Sequence, residues 1–434
     1  MTTVGEVRLW GRRIGAVSVE DDSDVAAFAY DPEFIGSGIE VAPLMMPLGP
    51  GVFSFPELSR RSFHGLPGLL ADALPDKYGN ALIDAWLAAQ GRTPASFNAV
   101  ERLCYTGTRG MGALEFAPAM GPRRKVSSRV DIDALVRLAS DVLTHRNDLH
   151  ASFADANKAN ALRDILRVGT SAGGARAKAV IAWNPATNEV RSGQVEAGEG
   201  FGYWLMKFDG VADNKDKELA DPKGYGAVEF AYSNMAAAAG IEVPESRLFE
   251  EGGRRHFMVK RFDRLEGGGK LHMQSLAALA QYDFNDPNAY SYEQALLVMR
   301  RIGLGMPALE EQFRRMAFNL IARNQDDHVK NIAFLMDREG NWRLSPGFDL
   351  TWSYNPDGAW TSRHQMSVNG RRDGFDLEDL DACARSASLN RSRARTIIQQ
   401  VRDAVAEWPR FADAAGVKPQ WRNDIGRTLR LDLA

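Results

Sequence analysis

Cysteine is nearly absent from this sequence: Cys104 and Cys383 lie far apart and outside any ligand-like spacing. Neither a disulfide framework nor a structural zinc site is expected, and both thiols should be buried and inert. No apolar run approaches the ~20 residues that cross a bilayer. The opening MTTVGEVRLWGRR also lacks the apolar core of a signal peptide, so the expectation is no membrane association and a cytoplasmic location. An excess of one charge is missing too. The 53 Lys and Arg against 56 Asp and Glu leave a net charge of -3, which gives no general attraction to nucleic acid beyond local stretches such as Arg123-Arg124-Lys125. There is no internal repeat and no low-complexity tract. What remains is 44% hydrophobic and 25% charged, an ordinary globular composition. At 434 residues the chain exceeds the size at which one core keeps growing, so two or three packed units are expected.

Periodicity divides the chain. EVRLWGRRIGAVSVE reads as two strands about a Gly-centred turn, and AAFAYDPEFIG as a further strand and turn. Helical spacing follows from PELSRR to AAQG, before the strand-like MGALEFAP. A β-rich first unit therefore spans 1–125. The stretch 130–167 reads as two connecting helices. Strand patterns at AKAVIAW, GYWLMKF and HFMVKRF, with the helix GAVEFAYSNMAAAAG among them, make a mixed lobe over 126–262. From 263 to 434 helical periodicity dominates, interrupted by the hairpin NIAFLMDREGNWRLSP.

The chemistry concentrates in NQDDHVKNIAFLMDREGNWRLSPGFDLTWS. After a long amphipathic helix come Asp326, four intervening residues, Asn331, a hairpin and Asp349. Phosphoryl transfer from ATP needs a carboxylate to orient the attacking hydroxyl and oxygen ligands to hold magnesium against the phosphates. Asp326 suits the first role; Asn331 and Asp349 suit the second. His328 is either a ring packed beneath the loop on backbone hydrogen bonds or a nucleotide contact. Upstream, Lys207 on a strand is placed to meet ATP phosphates, with Glu229 on the following helix as its ion-pair partner. VGTSAGGARAKAVIAW places Gly169, Gly173 and Gly174 before a strand, where backbone N–H groups can approach phosphate, and Arg176 and Lys178 add positive charge. VKRFD ends the third strand where a hinge between lobes belongs, so that Lys260 and Phe262 offer backbone groups and an aromatic face to adenine.

These motifs, SAGGARAK, WLMKF, VKRFDR, DDHVKN and PGFDL, resemble those of the HipA-type serine/threonine kinases, toxins of bacterial toxin–antitoxin pairs. WGRRIG, AYDPEF, LMMPL and LLADALPD resemble that family's N-terminal subdomain, and the resemblance covers nearly the whole chain. It implies an α+β, kinase-like two-lobed fold with a β-rich N-terminal subdomain, a mixed ATP lobe and a mainly helical catalytic lobe. It implies that Ser171, Gly173, Gly174, Ala175, Arg176, Ala177 and Lys178 form an ATP-covering loop and that Lys207 contacts phosphate, with Glu229 beside it. Lys260, Arg261 and Phe262 become the adenine hinge, Asp326 the base, Asn331 and Asp349 the Mg2+ ligands, and His328 and Lys330 their neighbours at the nucleotide. Ser171 matches a loop serine whose autophosphorylation silences the kinase, with Thr170 beside it. The implied partner is a small HipB-like helix-turn-helix antitoxin that reaches operator DNA, and the implied substrate a translation-related protein such as an aminoacyl-tRNA synthetase. Asp327 stands where the best-studied members carry glycine, and Gln274-Ser275 replaces an acidic pair. A small-molecule or lipid kinase, and a non-catalytic co-repressor partner of the antitoxin, stay open as alternatives.

Overall fold

The computed structural model describes residues 2–88, 90–121, 129–144, 176–211, 215–216, 219–220 and 223–433. Its first sheet pairs β1 (Thr2–Leu9), β2 (Arg12–Glu20), β3 (Ala27–Tyr30), β4 (Val52–Phe53) and β5 (Leu114–Ala117) in the order β4-β3-β2-β1-β5, all antiparallel. The β1–β2 turn places both Trp10 and Gly11 at positive φ, 51° and 80°, the backbone that a two-residue hairpin turn requires. Alternation then sends Val7, Leu9, Val17, Phe28 and Tyr30 into one core. The short helices α1 (Pro32–Ile35), α2 (Arg60–Phe63) and α3 (Gly68–Ala71) follow, then α4 (Lys77–Ala88) and α5 (Ala99–Thr106).

The second sheet runs β11-β12-β8-β6-β7, built from β6 (Lys178–Asn184), β7 (Glu189–Ser192), β8 (Gly202–Lys207), β11 (Ser246–Glu251) and β12 (Arg254–Lys260). A two-residue hairpin, β9 (Lys215–Asp216) with β10 (Leu219–Ala220), lies between them in sequence. One face packs Met206 and Met258 against α4 and α6 (Ile132–Thr144). The other meets α7 (Tyr225–Ala238), whose Gly226 runs so close to β12 that an added Cβ would fall 2.6 Å from the Arg255 carbonyl. The expected strands AKAVIAW, GYWLMKF and HFMVKRF are β6, β8 and β12. The flanking β7 (EVRS) and β11 (SRLFEE) were not expected, because short, polar edge strands carry little hydrophobic signal. Of the two helices expected over 130–167, α6 is present and the second lies outside the described residues.

The third unit packs α9 (Tyr292–Arg301), α10 (Met306–Ile321), α11 (Leu377–Ser386), α12 (Arg391–Ala406), α13 (Trp408–Ala414) and α14 (Pro419–Gly426) into the core that also buries Val228, Tyr232 and Met235 of α7. The expected hairpin is β14 (Ala333–Met336) and β15 (Trp342–Leu344), joined by β13 (His272–Ser275), which leads into α8 (Leu276–Ala280). The cores do not follow the boundary near residue 125: α4 belongs to the first unit in sequence, yet Tyr78, Leu82, Ile83 and Leu87 pack with the second sheet. Both cysteines are buried and unpaired, and burial pushes the Cys104 thiol up to about 11. Among the described residues no helix is long and apolar enough to cross a membrane.

Candidate phosphotransfer site

The expected catalytic loop begins where α10 stops: Arg323 turns the chain at φ 57°, and Asn324 Nδ2 donates to Asn319 Oδ1 at 2.9 Å and to the Asp349 carbonyl at 3.3 Å. The loop and the Asp349 segment are thereby tied directly. Asn331 Nδ2 donates to the Asp326 carbonyl at 2.9 Å, which closes the D-x4-N stretch on itself and leaves the amide oxygen as the group's acceptor. His328 caps the short turn Val329–Asn331, its Nδ1 accepting from the Lys330 N–H at 3.2 Å. It also borders the cavity described below. Asp327, which stands where the best-studied members of the resembled family carry glycine, is buried and satisfied: it accepts from the Tyr292 hydroxyl at 2.7 Å, His364 Nδ1 at 2.9 Å and the Gln365 N–H at 2.8 Å. Burial works against its charge, but His364 and these donors hold its carboxyl below the usual range.

Lys207 ends β8 with Nζ 2.7 Å from Glu229 Oε1 and 2.7 Å from Asp349 Oδ1. Three residues far apart in sequence thus meet at one ammonium. Burial pulls the Lys207 pKa down, and the two carboxylates outweigh it and raise it. Burial likewise pushes Asp349 up, and Lys207 reverses the shift and holds it low. Asp349 sits at φ 52°, a left-handed backbone that costs a non-glycine residue about 1 kcal/mol or more and clusters at functional sites.

These groups border a cavity whose long walls are apolar: Leu205, Phe257 and Val259 from the sheet, Met273, Phe348 and Leu350 opposite. At its hinge end the Lys260 N–H donates to the Glu245 carbonyl at 2.8 Å and the Arg261 N–H to the Tyr203 carbonyl at 2.9 Å, while the Phe262 and Phe348 rings lie 5.7 Å apart. The Arg261 guanidinium turns to Asp263, at 2.9 and 2.7 Å, so its contribution to the hinge is main chain. Lys207, Glu229, Lys260, Arg261, Phe262, His328, Lys330, Asn331 and Asp349 all line this one cavity.

Among the described residues, Arg176, Ala177, Lys178 and Asp326 do not line it. Ser171, Gly173, Gly174 and Ala175 lie outside the described residues, as do Gly169 and Thr170. Arg176 is buried over the Tyr225 ring with Nη1 3.1 Å from Glu229 Oε1. Lys178 opposes Lys207 across β6 and β8, but its ammonium is 2.7 Å from Asp76 Oδ2 and almost fully buried. Neither cation borders the cavity, nor does Ala177, which is buried in the sheet core. Positive charge near glycines gives no sign of which carboxylate will claim it.

Sequence reasoning missed the acidic groups that the first unit sends here. Asp72, at the end of α3, borders the cavity and accepts from the Ser275 N–H at 2.7 Å and hydroxyl at 2.9 Å; Lys330 Nζ is 3.9 Å away. Gly68 permits this, since an added Cβ would lie 2.4 Å from the Ala278 carbonyl. Ser275, one of the two residues that stand in place of the acidic pair, caps α8 and takes its partner Asp72 from another unit. Trp360 was also missed: its Nε1 donates to Asp326 Oδ1 at 2.6 Å.

Among the described residues no cluster of three or more His, Cys, Asp or Glu is suited to a metal, so the donor set is not an all-protein cage. Asn331 and Asp349 fit Mg2+, which takes one or two protein oxygens and completes its shell with water and phosphate. The apolar walls fit a flat base such as adenine.

Comparison with known proteins gives the family and the fold. Residues 5–117 match the model of the HipA N-terminal domain and residues 170–408 that of the HipA-like C-terminal domain. A Haemophilus influenzae protein named "Putative kinase" is 24% identical over 135 residues, 28% of this chain and 39% of that one. "Putative kinase Y4dM" of Sinorhizobium fredii is 24% identical over 225 residues, 47% of this chain and 50% of that one. The chain spans half or less of the length of these curated relatives. A solved Shewanella oneidensis structure of HipA with HipB and operator DNA superposes over 98% of this chain and 96% of that one, with TM-score 0.66 and 17% identity, a likeness of kinase-like fold. With its C-terminal model spanning more than half of the sequence and its N-terminal model covering the first sheet, the chain belongs to the HipA-like family.

Proposed function

We propose that the protein is an ATP- and Mg2+-dependent serine/threonine-protein kinase, the toxin of a HipA-like toxin–antitoxin module. The observation that carries this is Lys207, held at 2.7 Å by both Glu229 and Asp349 beside Asn331 and His328 in one cavity. A cation that pairs with a helix carboxylate and a metal-binding aspartate is the arrangement that phosphoryl transfer from ATP uses. On this reading the apolar walls and the Lys260–Phe262 main chain hold adenine, Lys207 holds phosphate, and Asn331 and Asp349 hold Mg2+, which supplies neutralisation of charge between the phosphates. Asp326 orients the acceptor hydroxyl and takes its proton. The acceptor is a translation-related protein such as an aminoacyl-tRNA synthetase, and the chain also phosphorylates its own loop at Ser171. The S. oneidensis neighbour is a HipA in complex with HipB and operator DNA; the corresponding partner here is a HipB-like antitoxin that mediates contact with operator DNA.

Transfer of label from γ-labelled ATP tests the reading. Asp326→Asn should bind MgATP like wild type and lose at least about 100-fold in turnover, as expected for removal of a positioned base. Asp349→Asn should lose MgATP binding itself. Phosphate on the peptide around Ser171, present in wild type and absent in Asp326→Asn, checks the self-modification. Wild-type turnover in Asp326→Asn would sink the assignment.

A further inference from the structure

The segment after Asp349 is stitched to the catalytic loop at both ends. On the way in, the Ser353 N–H donates to the Arg323 carbonyl and the Gln325 N–H to the Ser353 carbonyl, each at 3.0 Å. On the way back, the Gln365 N–H donates to Asp327 Oδ1 at 2.8 Å, and the buried Gln365 amide donates to the Trp360 carbonyl and, at 3.4 Å, to the Gln325 carbonyl. Within the bend, the Asn355 N–H donates to the carbonyl of the buried Thr361 at 3.2 Å. Trp360 therefore sits in a frame fixed by residues on both sides of Asp326, and its indole N–H reaches one oxygen of that carboxylate at 2.6 Å.

We infer that Trp360 is a positioning residue for Asp326: its indole N–H fixes the rotation of the carboxylate, and with it the direction from which an acceptor hydroxyl is engaged. The inference rests on the kinase reading above and adds a residue to it. Three physical points support it. An indole has one N–H and no acceptor, so it holds a carboxylate oxygen in one sense only. A hydrogen bond to a charged acceptor is about twice as strong as one between neutral groups, enough to select one rotamer of a short side chain. The same Oδ1 lies 3.9 Å from His328 Nε2, so the oxygen that the indole holds is the one turned toward His328. Trp360 itself is partly exposed.

In the step so arranged, the acceptor oxygen forms a bond to the γ-phosphorus, the bond from that phosphorus to the bridging oxygen breaks, ADP leaves with that electron pair, and the hydroxyl proton passes to Asp326. Trp360 exchanges no atom. Its loss should therefore affect turnover rather than nucleotide binding.

The test compares wild type, Trp360→Phe and Trp360→Tyr, each as the full chain, by phosphate release from MgATP and by label incorporation into the chain itself. Trp360→Phe should lower kcat by roughly 10- to 100-fold, the effect of a misplaced catalytic group, while KM for MgATP stays within about twofold and thermal stability is unchanged. An independent readout is the indole 1H–15N spectrum: the resonance missing from Trp360→Phe should lie downfield in wild type and move upfield in Asp326→Ala. Where Trp360→Phe does not fold, the same assignment is made from Trp360→Tyr. Wild-type kcat in a folded Trp360→Phe, a joint fall of kcat, affinity and stability, or an indole resonance indifferent to Asp326→Ala each overturns the inference. Transfer abolished in Asp326→Asn but intact in Trp360→Phe removes only this inference; no transfer by wild type removes the kinase reading and this inference together.

Discussion

Replacing Lys207 by methionine removes the charge that joins the two lobes of the site, and the geometry makes the consequence asymmetric. Glu229 keeps a partner, because Arg176 Nη1 is already 3.1 Å from the same oxygen that Lys207 holds. Asp349 loses its direct contact and retains only the more distant influence of Lys178 and Arg176. Breaking a buried pair costs about 3–5 kcal/mol, but the Asp349 side chain is 31% exposed and water takes up part of the loss. A stability decrease nearer ~2 kcal/mol follows. The functional loss should be separate and larger in its effect. One charge-assisted contact to phosphate is worth about 1.5–3 kcal/mol, so Kd for MgATP should rise by roughly 10- to 150-fold. Titration calorimetry with MgATP and with MgADP measures it, alongside urea unfolding of the same samples. Glu229→Gln should weaken binding less, since Asp349 still holds the ammonium. A folded Lys207→Met protein whose Kd lies within about twofold of wild type would refute the argument that Lys207 meets phosphate.

Two further outcomes follow from buried charge. Asp263 is fully buried and receives Arg261 at 2.9 and 2.7 Å, Arg264 at 2.7 Å and the Gly112 N–H at 2.7 Å. Asp263→Asn leaves two buried guanidinium groups without their counter-charge, so urea unfolding should show a loss of about 3–5 kcal/mol and proteolysis should find the hinge, whereas a loss below ~1 kcal/mol would mean the arginines find other partners. Stability should also fall in mild acid. Burial pulls both His256 and His272 from 6.5 to about 4, and His256 Nδ1 must stay unprotonated to accept the Asp209 N–H at 2.9 Å. The unfolded chain takes up these protons first, so the contribution is intact above about 6.5 and lost as pH falls toward 4, at up to ~1.4 kcal/mol per pH unit for each imidazole. Urea midpoints from pH 7 to 5 check the slope, and His256→Gln should flatten it.

The elements that carry a long apolar period were legible in the sequence: α7, α9, α10, α12, the central strands β6, β8 and β12, and the hairpin β14–β15. So was the ordering that brings Lys207, Glu229, Asn331 and Asp349 to one cavity, because each motif is local and the kinase pattern supplies their relation. Edge strands β7 and β11 were not legible, since a strand with one neighbour and a wet face needs few apolar residues. Partner choice among charges was not legible either. Lys178 and Lys207 look alike in sequence and oppose one another in the sheet, yet one ammonium goes to Asp76 and the other to Glu229 and Asp349. Only the path of the first unit, which brings α4 onto this sheet, decides between them.

That path changes what the first unit means for the site. Read as sequence, residues 1–125 carry no catalytic group. In space the unit sends three contacts into the catalytic region. Asp76 neutralises Lys178 beside Lys207; Asp72 fixes Ser275 at the start of α8, whose Leu276 N–H donates to the Ile332 carbonyl just past Asn331 at 2.7 Å; and the Gly110 carbonyl and Gly112 N–H join Arg261 and Asp263 at the hinge. Each contact is buried or nearly so, and each removes a charge or main-chain group that would otherwise lack a partner at a cost of one to a few kcal/mol. The cation beside the phosphate lysine, the residues after Asn331 and the hinge are thus held from one common support. Asp72 and Asp76 lie four positions apart, so the first two of these supports ride on one short stretch of chain. The first unit thus takes part in holding the geometry around Lys207 and Asn331 and does not merely lie beside it.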